Sequence, residues 1–216
     1  MLVVGFPAGA FRANCYLVAA GPGGECVVVD PGEGAEEGIE RALREHELTP
    51  AAVLATHGHY DHVASAAAVA DTHGVAVHIR PEDRHLLTDP LAGLGPELGA
   101  VVGTVTLPEP AAVEPLSEGP LDLAGLRIEV LHTPGHTPGS VVFGLRTEEG
   151  GRVALTGDTL FAGSVGRTDL PGGDPAALAT SLRTTVLSLA DDTVVLPGHG
   201  GSTTIGRERA GNPFLT

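Results

Sequence analysis

A dense cluster of metal-binding residue types, in the stretch ATHGHYDHVA, constrains this chain more than any other feature of its sequence. His57, His59, Asp61 and His62 follow the apolar run AAVLAT and precede an Ala-rich helical segment, which places them on a strand-to-helix loop. In an extended segment alternate side chains share a side, so the first three can face one way while His62 turns away as the helix begins. Imidazole and carboxylate are suitable ligands for Zn²⁺, Fe or Mn, so one tight loop can serve two neighbouring metal positions.

Further His and Asp residues stand directly after predicted strands elsewhere in the chain. His136 lies in HTPGHTPGS, Asp158 in LTGDTLF and His199 in LPGHG. Each occupies a glycine-containing loop, where the backbone can turn sharply and bring a side chain into a shared cleft. We predict that these three residues complete the coordination that the first loop begins. His132, which ends the strand LRIEVLH, is expected to have a supporting or structural role instead.

The order of predicted elements indicates an α/β protein. Short apolar runs bounded by Gly, Pro and Asp predict strands, and apolar residues at helical spacing predict helices. The predicted strands cover residues 2–6, 14–20, 26–30, 51–56, 75–79, 140–145, 152–156 and 193–197, with a hairpin at 121–132. The predicted helices cover residues 34–48, 63–73 and 175–189, with a short helical tail at 204–210. Two halves, each with strands followed by helices, favour two sheets packed face to face with helices outside, in one domain spanning residues 1–216.

Residues 88–119 interrupt this order. They contain many Gly and Pro residues and are predicted to form an irregular excursion with one short strand. The apolar part of the segment, residues 88–107, could serve as a lid over a cleft or as a contact between two copies. Both readings stay open at this point, and with them the choice between a monomer and a homodimer.

The charge of the chain excludes some partners. Its formal net charge is −15, from 27 acidic residues against 12 basic ones, and every basic residue is Arg. A polyanionic nucleic acid would be repelled by such a surface, so we expect no nucleic-acid partner. No apolar run approaches the ~20 residues that cross a bilayer, and no signal peptide precedes the first strand. We therefore expect a cytoplasmic protein with no membrane partner.

Taken together, the stretches THGHYDH, HTPGHTPGS, TGDTLFAGSVGRTD and LPGHG resemble the motifs of the metallo-β-lactamase superfamily, over nearly the whole chain. The resemblance implies an αββα sandwich, a four-layer α+β arrangement of two mixed β-sheets with helices outside. It also implies two divalent metal ions, with zinc as the first choice and iron or manganese as alternatives. The ligands it assigns are His57, His59 and His136 for the first metal, Asp61, His62 and His199 for the second, and Asp158 as the bridge.

Ligand identity narrows the branch that this chain resembles. The β-lactamases of the superfamily typically have Cys where Asp158 stands, and its diiron flavoproteins have Glu in place of His59. RNA-processing members are expected to carry a basic substrate surface or added domains. The remaining resemblance is to small glyoxalase II-like hydrolases, here without the C-terminal helical domain of the full-length enzymes. Such relatives bind the carboxylate of a glutathione-like thiol with a basic residue near Arg167, whose guanidinium offers a bidentate fork.

These observations predict a metal-dependent thioester hydrolase that acts on a small acyl-thiol such as S-lactoylglutathione. A water bound to the two ions would have its pKa lowered towards ~7, and the resulting metal-bound hydroxide would attack the thioester carbonyl. Asp61 and Asp158 are the predicted catalytic residues. Arg167 and Tyr60 are the predicted substrate contacts, and Asp30 is a predicted partner of a ligating histidine.

Three alternatives stay open. A persulfide dioxygenase would use a single iron, held by His57, His59 or His136 together with Asp158, with the second position empty. A lactone or other ester hydrolase of the same fold would use the same site as a thioesterase. A metal-binding protein without activity would hold its metal with no open coordination position.

Overall fold

Fourteen strands and six α-helices make up the part of the chain that the computed structural model describes, residues 1–147 and 149–215. The strands are β1 Leu2–Ala8, β2 Ala13–Ala19, β3 Glu25–Val29, β4 Thr49–Leu54, β5 Val77–Ile79, β6 Val113–Pro115, β7 Gly119–Leu123, β8 Leu126–His132, β9 Val141–Arg146, β10 Arg152–Gly157, β11 Leu160–Phe161, β12 Ser164–Val165, β13 Val194–Pro197 and β14 Thr203–Thr204. The helices are α1 Glu36–His46, α2 Tyr60–Val63, α3 Ala66–His73, α4 Gly95–Val102, α5 Pro175–Thr184 and α6 Ile205–Gly211. No helix among these residues is long and apolar enough to cross a membrane.

Two six-stranded sheets form the frame, and both are mixed. The first has the order β1-β2-β3-β4-β5-β6, antiparallel from β1 to β3 and parallel from β3 to β6. The second has the order β14-β13-β10-β9-β8-β7, in which only β10 and β13 are parallel neighbours. A separate small hairpin pairs β11 with β12.

Three apolar clusters define four layers. The central cluster combines side chains of the first sheet, such as Val27 and Leu54, with side chains of the second, such as Ile128 and Phe143. A second cluster packs α1 and α3 on the outside of the first sheet, and a third packs α5 and α6 on the outside of the second. The helices can do this because one face of each is apolar, as Ile39 shows on α1. The predicted αββα sandwich is confirmed.

Chain direction brings the predicted ligand loops to one edge of the sandwich. In the first sheet β3 and β4 are parallel, so the residues after both strands leave at the same edge. In the second sheet β8, β10 and β13 run in the same direction, because β9 is antiparallel to β8 and β10 while β13 is parallel to β10. The Val141 N–H donates to the Thr56 carbonyl at 2.8 Å and ties the two sheets together at this edge.

Three predicted elements need correction. Residues 88–119 do contain one short strand, β6, but they also contain α4 and a 3-10 turn at Pro90–Gly93. The helix predicted over 175–189 ends at Thr184, and a separate 3-10 turn, Val186–Ser188, follows it. The helix predicted over 63–73 is interrupted: α2 begins earlier, at Tyr60, and α3 begins at Ala66.

Candidate metal centre

Three buried histidines from both halves of the molecule form the first group of predicted ligands. His57 and His59 leave β4, and His136 lies on the loop between β8 and β9. One nitrogen of each lies within 4.8 Å of the other two, and His59 Nδ1 and His136 Nε2 are 2.9 Å apart. His57 Nε2 is buried without a hydrogen-bond partner in the described residues. A buried polar atom of this kind is costly unless a ligand satisfies it, so the group fits a metal ion.

The second group combines a carboxylate with two histidines. Asp61 Oδ2 lies 3.1 Å from His199 Nε2 and 3.6 Å from His62 Nε2, and the two histidine nitrogens are 3.4 Å apart. The three donor atoms lie within 4.8 Å of one another. His62 is fully buried, while Asp61 and His199 are partly exposed, so this group is the one nearer to solvent.

Asp158 lies between the two groups, as a bridging ligand would. Its Oδ1 is 3.4 Å from His62 Nε2, and its Oδ2 is 3.5 Å from His136 Nε2. Oδ1 is buried and accepts no hydrogen bond from the described residues. The neighbouring backbone has to be Gly198, because a Cβ there would lie 2.2 Å from Asp158 Oδ1 and 2.7 Å from the His62 ring. The seven residues that sequence reasoning grouped are therefore brought together.

Asp30 positions part of this centre from behind. Its Oδ1 accepts the backbone N–H of Thr56, and its Oδ2 lies 2.7 Å from Thr56 Oγ1 and 3.0 Å from His62 Nδ1. Because Nδ1 of His62 is engaged there, Nε2 is left facing the second group. Asp30 itself adopts φ 52°, a left-handed conformation that is uncommon outside glycine and that clusters at functional sites. Asp30 thus lies against His62, one of the predicted ligands.

Two further hydrogen bonds orient histidine rings, and sequence reasoning missed both. His57 Nδ1 lies 3.1 Å from the hydroxyl of Thr56, and His136 Nδ1 donates to the Arg167 carbonyl at 2.8 Å. In each ring the Nε2 atom is then the one that faces the first group. Second partners of this kind set ring orientation and ligand basicity in metal sites.

Asp83 is a buried carboxylate that sequence reasoning also missed. It accepts hydrogen bonds from Gly58 N at 2.9 Å, from Gly139 N at 2.8 Å and from the Thr137 hydroxyl at 2.6 Å. Gly58 lies in the first ligand loop and Gly139 in the loop that carries His136, so Asp83 ties these loops together. The only signal in the sequence is an acid in the turn PED after a predicted strand, which is common in surface turns.

The loop that carries His199 is fastened by β2 of the other sheet. Asn14 Nδ2 donates to the carbonyls of Pro197 at 2.9 Å and Gly200 at 3.0 Å. The Tyr16 hydroxyl donates to the same Pro197 carbonyl at 2.8 Å. The first half of the chain therefore fastens a loop of candidate ligands that the second half supplies.

The two groups differ electrostatically. Burial, followed by neighbouring histidines, lowers the pKa of His57, and burial together with His136 lowers the pKa of His59 to about 3. Burial also acts to lower the pKa of His62, but Asp158 and Asp61 outweigh it and raise that pKa to about 10. Burial acts to raise the pKa of Asp61, and the charges of His62 and His199 lower it instead. Burial thus favours the neutral imidazole at His57 and His59, whereas His62 and Asp61 favour opposite charges on each other.

A cleft of about 340 Å³ opens onto this centre. We call one side the ligand wall, formed by His59, Asp61, His136, Asp158 and His199. We call the other the apolar wall, formed by Phe11, Leu94, Leu98, Phe161, Val165 and Leu170. Arg167 also lines the cleft, as predicted, and is the one basic residue among its described lining. Leu94 and Leu98 come from the 88–119 segment, so part of that segment borders the cleft.

Tyr60 and His132 are among the predicted site residues that do not line the cleft in the described chain. Tyr60 was expected to contact substrate on the assumption of an extended loop, but it is the first residue of α2, and this turn directs its hydroxyl to Glu33 Oε1 at 3.2 Å. It is not among the residues that line the cleft in the described chain. His132 donates from Nε2 to the Pro138 carbonyl at 2.9 Å and so braces the loop that carries His136. The supporting role of His132 in the metal centre stays a prediction.

Comparison with known proteins agrees with this geometry. Residues 8–199 match the family model of the metallo-β-lactamase superfamily. The hydroxyacylglutathione hydrolase GloC of Haemophilus influenzae is 40% identical, over 97% of this chain and 95% of that protein. The chain belongs to the metallo-β-lactamase superfamily. It is a metallo-hydrolase of that superfamily, whose members are mostly metal-dependent hydrolases.

Two solved structures extend the comparison. The B3 metallo-β-lactamase BLEG-1 superposes with a TM-score of 0.88 at 39% identity, covering 100% of both chains. The protein TTHA1623, solved in a di-iron-bound form, superposes with a TM-score of 0.81 at 40% identity, covering 98% of this chain and 100% of that one. Relatives of this fold and similarity therefore include a protein described as a β-lactamase and one that holds two irons.

Proposed function

We propose that the protein hydrolyses thioesters of low-molecular-weight thiols at the centre between the two ligand groups. The observation that carries the proposal is the convergence of seven imidazole and carboxylate side chains at the floor of a cleft whose opposite side is apolar. Similarity to the hydroxyacylglutathione hydrolase GloC over nearly the whole chain supports the thioester class. The expected partner is a small molecule, and the charge of −15 gives no support to a nucleic-acid substrate.

Two divalent ions are proposed as the cofactors. His57, His59 and His136 would hold one, Asp61, His62 and His199 the other, and Asp158 would contact both. When bound, the ions would lower the pKa of a water and stabilise the charge that develops on the carbonyl oxygen of the substrate. The donor set contains imidazole and carboxylate but no thiolate, which suits zinc, iron and manganese alike. Zinc is the proposed occupant, and the di-iron form of a relative makes iron the first competitor.

The residues of the chain would perform three tasks in this reaction. Asp61 and Asp158 border the cleft with carboxylate oxygens that can orient an attacking water and accept its proton. The hydrogen bonds of His57, His62 and His136 to groups behind them fix the rings in place. In the reaction the oxygen of water forms a C–O bond with the carbonyl carbon and the C–S bond breaks. The proton released by water is taken up by the leaving thiolate. No Ser or Cys lines the cleft in the described chain, so the attacking group is water.

A direct assay tests the proposal. Protein loaded with zinc, and separately with iron, is given S-lactoylglutathione, a neutral S-acyl thiol and a simple lactone, with release of thiol followed by a chromogenic reagent. We expect thioester hydrolysis with a kcat/KM of ~10⁴ M⁻¹s⁻¹ or more, within the range of ordinary enzymes. Efficient hydrolysis of the lactone with no turnover of any thioester would contradict the proposal. The same preparation supplies the metal content by elemental analysis.

A β-lactam is the second candidate substrate. Full-length similarity to a protein described as a B3 metallo-β-lactamase favours it. Asp158 weighs against it, because the β-lactamases of the superfamily typically have Cys at that place. A chromogenic cephalosporin decides between the two, since we expect its kcat/KM to be at least ~100-fold below that of a thioester. The second ligand group is as well formed as the first, which weighs against single-iron sulfur oxidation.

A further inference from the structure

The apolar wall determines what can lie beside the scissile bond. Leu94 and Leu98 approach from α4 and the residue before it, and Phe161 approaches from β11 with its ring 6.2 Å from that of His199. These side chains offer no hydrogen bond to a polar group of the substrate. Placing a charged group against them would remove its hydration without replacement, which is costly. The wall is therefore suited to an uncharged, apolar part of a substrate.

The single guanidinium of the cleft is already engaged. Arg167 Nε and Nη2 each donate to one carboxylate oxygen of Asp169 at 2.7 Å, so the two residues form a bidentate pair. The hydrogen bonds from Arg167 lower the pKa of Asp169 to about 2, so this carboxylate is ionised at neutral pH. This is one of the two bidentate faces with which a guanidinium can recognise a carboxylate, and the other, formed by Nη1 and Nη2, lies beside it. A second carboxylate would have to displace Asp169 or stand beside its charge.

Apart from the proposed metal ions, which the carboxylates of Asp61 and Asp158 face, Arg167 is the one Arg or Lys among the described lining of the cleft. The chain as a whole carries a net charge of −15, so a substrate with added negative charge is also repelled at long range. Apart from those ions, nothing in the described lining of the cleft therefore favours a substrate carboxylate.

We infer that the cleft selects uncharged thioesters with an apolar group, and that Asp169 sets this selection by occupying the fork of Arg167. The inference rests on the proposed thioester hydrolysis and narrows it, because a glutathione-type thiol carries two carboxylates. Asp169 is a specificity-determining residue that acts through Arg167, not a catalytic one. A comparable ion pair joins Arg152 Nη1 to the two carboxylate oxygens of Asp192 at 2.7 Å and 3.0 Å, and it does not line this cleft.

A matched pair of substrates tests the inference. S-butanoyl-N-acetylcysteamine and S-butanoyl-N-acetylcysteine share the acyl group and differ by one carboxylate on the thiol. With the metal-loaded, full-length protein we expect kcat/KM for the neutral thioester to be at least about 5-fold higher, the scale of one charge pair near a surface. In Asp169→Asn the ratio of the charged to the neutral substrate should rise about 5-fold. Asp192→Asn, the matched control, should leave the ratio where it is.

A double variant identifies the route of the effect. If freed Arg167 is what accepts the carboxylate, then Arg167→Gln combined with Asp169→Asn should abolish the gain for the charged thioester. A loss of structure would lower kcat/KM for both substrates and leave their ratio unchanged, so the ratio separates specificity from damage. Preference of the wild type for the charged thioester, or an unchanged ratio in Asp169→Asn, overturns the inference alone. Failure to cleave either thioester overturns the proposed function and the inference together.

Discussion

Three histidines in and behind the ligand wall are held by hydrogen bonds on the side that faces away from the cleft, whereas side chains of the apolar wall are held by contact alone. His57, His62 and His136 each have such a bond, to Thr56, Asp30 and the Arg167 carbonyl. On the apolar wall, α4 has no buried residue, and Val101 on that helix is 75% exposed. The chemistry of the centre needs fixed geometry, whereas selection by shape tolerates a looser surface. Substitutions on the two walls should therefore change different measured properties of the protein.

The largest effect is expected on the ligand wall at Asp158. Replacing Asp158 with Ala removes the carboxylate that lies between the two ligand groups. We expect kcat/KM for a thioester to fall at least ~10³-fold, which corresponds to roughly 4 kcal/mol of lost transition-state stabilisation. Steady-state kinetics measure this fall in kcat/KM, and elemental analysis of the same sample gives its metal content. Asp192→Ala is the control variant. Activity within 10-fold of the wild type would show that the two groups do not act as one centre.

The second effect should be on stability, at the support behind the ligand wall. Asp83→Ala leaves two backbone N–H groups and a hydroxyl without their acceptor in a buried place. We expect a loss of about 2–4 kcal/mol in the free energy of unfolding, because buried donors are costly to leave unpaired. Chemical denaturation of the metal-free protein measures it. Asp89→Ala, an exposed carboxylate nearby, should change stability by less than about 0.5 kcal/mol.

The third effect concerns metal affinity at Asp30. Asp30→Asn keeps the size of the side chain but weakens its hold on His62 Nδ1 and Thr56. We expect the affinity for the more weakly bound of two ions to fall about 10–100-fold, the usual cost of losing such a partner. Competition with a chromophoric chelator measures it. A loss of equal size at both ions would mean that Asp30 supports the whole loop, not His62 in particular.

The smallest effect is expected on the apolar wall, at Leu98. Leu98→Ala removes part of an apolar contact in the cleft, so it should raise KM for a butanoyl thioester about 3–10-fold and change kcat less than 2-fold. Val101→Ala on the same exposed helix should change neither constant. A fall in kcat with no change in KM would mean that Leu98 acts on the chemical step and not on substrate binding. The proposed difference between the two walls would then be wrong.

The sequence predicted the parts of this centre that follow a local rule. His57, His136, Asp158 and His199 each come directly after a strand in a loop that contains glycine, and this pattern is visible without a structure. The two-sheet sandwich followed from the same strands.

Supports that act across the fold left no such pattern. Asp83 reaches Gly139, 56 residues away, and Asn14 reaches Pro197, 183 residues away. Their partners are backbone groups, which every residue carries, so the identity of the partner residue does not predict the contact. Helix α4 was missed because its Gly and Pro content lowers helix propensity. Tyr60 was misplaced because the segment assumed to be extended becomes helical at Tyr60, three residues before the predicted start of the helix at residue 63.

The hydrogen bonds from Asn14 and Tyr16 to the Pro197 carbonyl have a consequence for folding during synthesis of the chain. At ordinary elongation rates the ribosome adds the 183 residues between Asn14 and its partner in on the order of 10 to 40 s. During that interval the side chains of Asn14 and Tyr16 lack the carbonyl that accepts their hydrogen bonds in the folded chain. The loop that carries His199 can be held by Asn14 only after residues 197–200 have left the ribosome. A nascent chain therefore gains its complete ligand set last, after most of both sheets have been made.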